Sequence, residues 1–152
     1  MKLALRTILG LILGAAATAK LLNMPGFVGI LHSYGIFPGG THWPAAIGIV
    51  SVELLVGGWL IWGRRLERAA YASFGLHVMY ACFVAFMLLR NKPILNCGCF
   101  GSYFARPLSW TTFAQNLVLA SLSFWLTRLA ADRPPNTSKN AGRKTPSAYK
   151  YH

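Results

Sequence analysis

Acidic side chains are nearly missing from this chain. Glu53, Glu67 and Asp132 are the only three in 152 residues, so catalysis by paired carboxylates has little to draw on. Charge of either sign is scarce: 12% of the residues carry it, against about 25% in ordinary soluble domains. That shortage excludes an acidic disordered chain and argues against a soluble globular domain. Cysteine is sparse too, and three of them exclude a disulfide-dense secreted scaffold. Apolar residues fill the space instead, at 55% of the chain, more than one small core buries.

These residues fall into four runs, at about 3–22, 44–63, 69–89 and 108–131. Arg6 and Lys20 interrupt the first, Glu53 the second, nothing charged the third, and Arg128 the fourth. A helix needs about 20 mostly apolar residues to cross a bilayer, and each run has that length. Four such runs leave no polar face with which a soluble protein meets water. The sequence predicts an all-α integral membrane four-helix bundle over residues 1–131, followed by a tail at 132–152. Residues 1–20 also resemble a secretory leader, with Lys2 and Arg6 before an apolar stretch and Ala17-Thr18-Ala19 at its end. Apolar sequence continues through Leu21, Leu22 and Phe27, so the expectation is a retained first span.

Positive charge orients the bundle. Lys2, Arg6, Arg64, Arg65, Arg68, Arg128, Arg133, Lys139, Arg143, Lys144 and Lys150 fall on one side of the spans. Arg90, Lys92 and Arg106 fall on the other. Basic residues of short loops are retained in the cytoplasm, so both termini are expected inside (N-in/C-in). The loops 23–43 and 90–107 then face the periplasm or cell exterior. The expected location is the bacterial inner membrane, in several passes. The net charge of +12 thus reads as topology, with no nucleic acid as partner. The Pro-, Ser-, Asn- and Lys-rich tail is expected to be flexible and cytoplasmic, its basic residues near anionic lipid.

The chemistry candidates sit on the outer side. Asn96-Cys97-Gly98-Cys99-Phe100-Gly101 places two cysteines either side of one glycine, just before the last span. Disulfides form and persist on the oxidising face of a membrane. A Cys-Gly-Cys bridge closes a very small ring against the usual disulfide geometry, and strained bridges are the more exchangeable ones. A redox-active pair, a static clip and two free thiols all remain open. Zinc normally needs four ligands, and no histidine lies within ten residues of the pair, so no metal is expected. Arg90, Lys92 and Arg106 are the nearby cations expected to favour a thiolate.

Glu53 sits near the middle of the second run, where an ionisable side chain is costly and marks a functional or pairing site. Lys20 is its natural partner. Counted from the outer ends of the two runs, the pair differs in depth by about 12 Å of helix rise, so direct contact is expected to be uncomfortable. No pattern demands a cofactor; a quinone or lipid head group beside this polar centre is compatible with it. Cys82, mid-run, reads as a small hydrophobe. Gln115 and Asn116 read as interhelical hydrogen bonders or as groups within reach of the cysteine loop. His77 reads as a satisfied buried histidine, and His32 and His42 as outer-loop residues. Trp43, Trp59, Trp62, Trp110 and Trp125 mostly lie near run ends, as an aromatic belt requires. Gly10-x-x-x-Gly14, Gly57 and Gly58 are candidates for close helix approach. The apolar segment 27–31 is expected at the membrane interface.

The order of these features resembles the DoxX-like membrane family, and within it the MauE branch. Lys20-Leu21, Tyr34-Gly35-Ile36, Glu53-Leu54 and Cys97-Gly98-Cys99-Phe100-Gly101 carry the resemblance, which covers about residues 5–130. It implies a four-helix inner-membrane protein that makes or maintains disulfides in a periplasmic enzyme, beside a thioredoxin-like partner. Quinone-linked four-helix proteins of the DsbB and vitamin K epoxide reductase types are an analogy; their Cys-x-x-Cys pair is absent here. Two functions stand side by side. One is a membrane thiol–disulfide redox protein built on Cys97 and Cys99, with Lys20 and Glu53 as an intramembrane polar centre. The other is a non-catalytic accessory subunit of a larger membrane complex.

Overall fold

A computed structural model describes residues 1–91, 94–102 and 105–131. Lys92 and the tail 132–152, both assigned roles above, lie outside the described residues. The described chain is helical: α1 (Lys2–Leu22), α2 (Met24–Tyr34), α3 (His42–Trp62), α4 (Leu66–Leu89) and α5 (Trp110–Ala131). Three of these, α1, α3 and α4, are long and apolar enough to cross a membrane. α5 has spanning length, at 22 residues, but Gln115, Asn116 and Arg128 make it less apolar.

The helix the sequence did not announce is α2, inside the expected outer loop. Its start is set locally: the Asn23 side chain accepts from the Gly26 amide at 3.0 Å, with Pro25 in the first turn, where its missing N–H costs nothing. It ends at Gly35, which takes the left-handed conformation at φ 65°. One face of α2 is buried through Phe27, Ile30, Leu31 and Tyr34, packed with Ala17, Ala46, Val50 and Met87. The apolar segment 27–31 thus spends Phe27, Ile30 and Leu31 on packing within the protein.

The long helices form two tight pairs. α1 lies against α3 and α4 against α5, while α3 and α4 touch only sparsely. The first pair closes at glycines. A Cβ on Gly10 would come within 2.9 Å of the Gly57 carbonyl oxygen, and one on Gly57 within 3.1 Å of the Gly10 oxygen. Gly58 faces open space instead.

Polarity is distributed as in a protein dissolved in lipid. Lys20, Glu53, Ser73, His77, Thr112, Asn116, Ser123 and Thr127 are buried, whereas Leu11, Ile47, Leu55, Met79, Phe86 and Val118 are exposed. The Ser73 and Ser123 hydroxyls join α4 to α5 at 2.9 Å. In water that arrangement would leave a large apolar surface unpartnered; in hydrocarbon it keeps the costly Lys20–Glu53 pair inside.

Candidate functional site

Lys20 belongs to the last turn of α1, and its ammonium points into the bundle. It donates to both carboxylate oxygens of Glu53, each at 2.8 Å, and to the Cys99 carbonyl at 2.9 Å. Those three acceptors use all the hydrogens an ammonium has. The Phe27 ring lies 5.5 Å from the same nitrogen, within cation–π reach. Glu53 also accepts from the Tyr80 hydroxyl at 2.8 Å. A buried charge pair is tolerable only when its remaining valences are met in this way. Direct contact corrects the expected depth mismatch. α2 packs over the end of α1, so Lys20 lies deeper than a count from the run ends suggests.

The cysteine segment folds inward onto this cluster. The Cys97 amide donates to the Arg106 carbonyl at 2.8 Å and the Leu108 amide to the Ile94 carbonyl at 3.0 Å, closing the neck of the loop. The Tyr34 hydroxyl donates to the Cys97 carbonyl at 2.7 Å, and Asn23 donates to the Ser102 hydroxyl at 2.8 Å. Gly98 and Gly101 both have positive φ, at 66° and 65°. At Gly101 a Cβ would lie 2.8 Å from the Ala19 carbonyl oxygen, so the loop backbone rests directly on the end of α1. The Gly-Cys-Phe-Gly spacing thus serves the docking as well as the sulfur pair.

Cys97 and Cys99 are free thiols, each partly buried. Their environments are unequal. Hydrogen bonding by the Cys99 thiol, outweighing burial, lowers the Cys97 pKa to about 6, with Lys20 adding a smaller pull in the same direction. The Cys99 thiol is pushed up, first by that same hydrogen bond and then by burial. The Cys97 thiol thus ionises more readily than its neighbour. The cation that assists is Lys20. Of the expected cations, Arg90 lies over the Phe86 ring and the Arg106 side chain is exposed.

Beneath the loop, between the two helix pairs, lies a cavity of about 400 Å³ lined by residues of all five helices. Cys97, Cys99, Lys20, Glu53, Tyr80, His77 and Asn116 all border it. Six of these stand out in the sequence; Tyr80 does not. A tyrosine hydroxyl at span depth needs a partner, and that was the signal available. Asn116 is buried and donates to the Thr112 carbonyl at 2.9 Å, whereas Gln115 is exposed. Cys82, expected to be buried, is exposed on α4, because its side of the helix faces away from the bundle. His32 and His42 come together with ring centroids 5.0 Å apart, away from this cluster.

The family model for methylamine utilisation protein MauE matches residues 1–129. The chain belongs to the MauE family. Among its MauE relatives, that of Paracoccus denitrificans is 31% identical over 139 residues, covering 91% of this chain and 75% of the relative. The MauE protein of Paracoccus versutus is 29% identical over 136 residues, covering 89% and 73%. That of Methylorubrum extorquens is 28% identical over 129 residues, covering 85% and 69%. No solved structure matches. As a MauE-family chain with three helices fit to cross a membrane, this is a helical membrane protein.

Proposed function

We propose that this MauE-family chain is a membrane thiol–disulfide redox protein acting in methylamine utilisation, and that Cys97 and Cys99 are its working pair. The observation that carries the reading is the inequality of the two sulfurs in a loop docked on a buried cation. α5 completes a four-span bundle with both termini in the cytoplasm, as the asymmetry of lysines and arginines favours. The cysteine loop then faces the periplasm of a bacterial inner membrane. A thioredoxin-like periplasmic protein or a client enzyme docks there.

The exchange balances simply. A client's two thiols lose two electrons and two protons and form a disulfide. The Cys97–Cys99 disulfide takes up both and opens to two thiols. In the opposite direction the Cys97 thiolate attacks a partner disulfide, a mixed disulfide forms, and the Cys99 thiol resolves it after losing its proton. Lys20 and Glu53 hold the loop in place and keep a positive charge near the nucleophile.

A second reading has one observation in its favour. The Lys20–Glu53–Tyr80 cluster is fully hydrogen-bonded and ties α1, α3, α4 and the loop together, which also suits a non-catalytic accessory subunit of a membrane complex. Thiol trapping in native membranes separates the two. Mixed disulfides that accumulate in Cys99→Ser and vanish in Cys97→Ser support exchange. Redox-independent labelling, with stable co-purification of other subunits, supports the accessory role.

A further inference from the structure

The cavity beneath the loop is larger than side-chain packing requires. Its volume of about 400 Å³ falls within the roughly 300–1,000 Å³ of small-molecule sites. The walls are chiefly apolar and aromatic, with Phe27, Ile49 and Phe83 among them. Polar groups enter at two levels. At the loop end are the two sulfurs and the ion pair. About one helical turn below Tyr80 on the same face of α4 is His77, with Asn116 of α5 bordering the same space.

Those two groups, His77 and Asn116, have unused valences. His77 Nδ1 donates to the Ser73 carbonyl at 2.8 Å. In the neutral ring this fixes Nε2 as a lone-pair acceptor, and Nε2 has no partner among the described residues. Asn116 gives one amide hydrogen to Thr112 and keeps the other, together with its carbonyl oxygen. His77 is 2% exposed and Asn116 8%, so what remains is offered to the cavity. An unionised ligand with an oxygen that serves as carbonyl in one state and hydroxyl in the other suits such a donor and acceptor.

The way in is lateral. Met79 borders the cavity and is 55% exposed, and its helix α4 packs only sparsely against α3. A ligand dissolved in the bilayer reaches the cavity without crossing water.

We infer that this cavity binds a membrane-soluble quinone, which accepts the electrons of the Cys97–Cys99 dithiol. The inference rests on the proposed thiol–disulfide role and names its electron acceptor. Two S–H bonds break and one S–S bond forms. The two electrons and two protons released convert both quinone carbonyls to hydroxyls, giving the hydroquinone. The sulfur pair leaves as a disulfide, ready for a client.

The test uses the full chain in nanodiscs of phosphatidylcholine and phosphatidylglycerol, reduced and freed of reductant. Decylubiquinone is added, and quinone absorbance and protein thiols are followed together. Exchange with a small disulfide is measured in parallel. One quinone is expected to be reduced for each pair of thiols lost, and neither Cys97→Ser nor Cys99→Ser is expected to reduce it. Ile49→Trp, which fills the cavity, is expected to slow quinone reduction by about tenfold or more while small-disulfide exchange continues. Ala45→Leu, at another residue of the cavity wall, is the milder substitute if the tryptophan variant does not accumulate. A photoreactive azidoquinone is expected to label the α4 peptide containing Met79 and Tyr80. Normal small-disulfide exchange without quinone reduction would overturn the quinone site and leave the redox role standing. Absence of both would overturn the two together. Unchanged quinone reduction and labelling in a folded cavity-filled variant would place the acceptor elsewhere.

Discussion

Lys20 and Glu53, 33 residues apart, meet at 2.8 Å inside the bundle, and the same ammonium holds the Cys99 carbonyl at 2.9 Å. One cation therefore joins α1 to α3 and fixes the cysteine loop above them. Removing one partner leaves the other charge buried and unpaired, a loss of about 3–5 kcal/mol. Lys20→Met and Glu53→Leu are each expected to destabilise the protein by that order, measured by denaturant or detergent unfolding in micelles. The double variant is expected to be less damaged than the sum of the two, because no orphan charge remains.

The sulfur pair is expected to react unequally with alkylating agents. The folded Cys97 pKa lies near 6, below the ordinary 9.0. Its thiolate therefore predominates above about pH 6 and is lost as the pH falls through that value. Rates of iodoacetamide modification, followed residue by residue by mass spectrometry, are expected to show Cys97 reacting with a midpoint near 6. Cys99 is expected to stay slow at neutral pH, since its thiol is pushed up. Lys20→Met is expected to move the Cys97 midpoint upward, because its positive charge favours the thiolate.

Docking of the loop depends on glycine. Gly101→Ala adds a Cβ against the Ala19 carbonyl, 2.8 Å away, at a φ of +65°. The left-handed conformation alone costs a non-glycine residue about 1–2 kcal/mol. The loop is expected to lift from α1, with faster proteolysis of residues 94–102 and loss of the rate difference between the two cysteines. Tyr34→Phe removes the hydrogen bond to the Cys97 carbonyl and is expected to act in the same direction by about 1 kcal/mol.

Neighbouring glycines in α3 provide an internal contrast. Gly57 approaches Gly10 of α1, while Gly58 faces open space. Gly57→Val is expected to force the first helix pair apart at a cost of about 1–3 kcal/mol, and Gly58→Val to leave stability nearly unchanged. Unfolding of the two variants in the same micelle reads the difference directly.

Long apolar runs made the long helices legible, because lipid demands about 20 uninterrupted apolar residues. Glu53 and the Cys-Gly-Cys segment stood out for a related reason: each is a costly or reactive group where its surroundings are otherwise bland. α2 was hidden because its 11 residues lie among Pro25, Gly26, Gly35 and Pro38, which read as loop punctuation. Asn23 turns that punctuation into a helix start, and Phe27 and Tyr34 acquire their roles only when α2 folds back. The depth of Lys20 is hidden in the sequence for the same reason. Tyr80 and the inward fold of residues 94–102 depend on contacts between distant segments, which no local pattern announces. α5 shows the converse: its length invites a span, yet Gln115, Asn116 and Arg128 make it the least apolar of the long helices.

The central claim is that Cys97 and Cys99 act together as one two-electron couple on the outer face. Its most direct test is a redox titration of both residues in intact membranes, with glutathione buffers and a membrane-impermeant maleimide applied from outside. Both thiols are expected to appear and disappear together with a single midpoint, and replacing either cysteine by serine is expected to abolish the transition. Labelling of both thiols at every poise, or no labelling from outside at any poise, would contradict it.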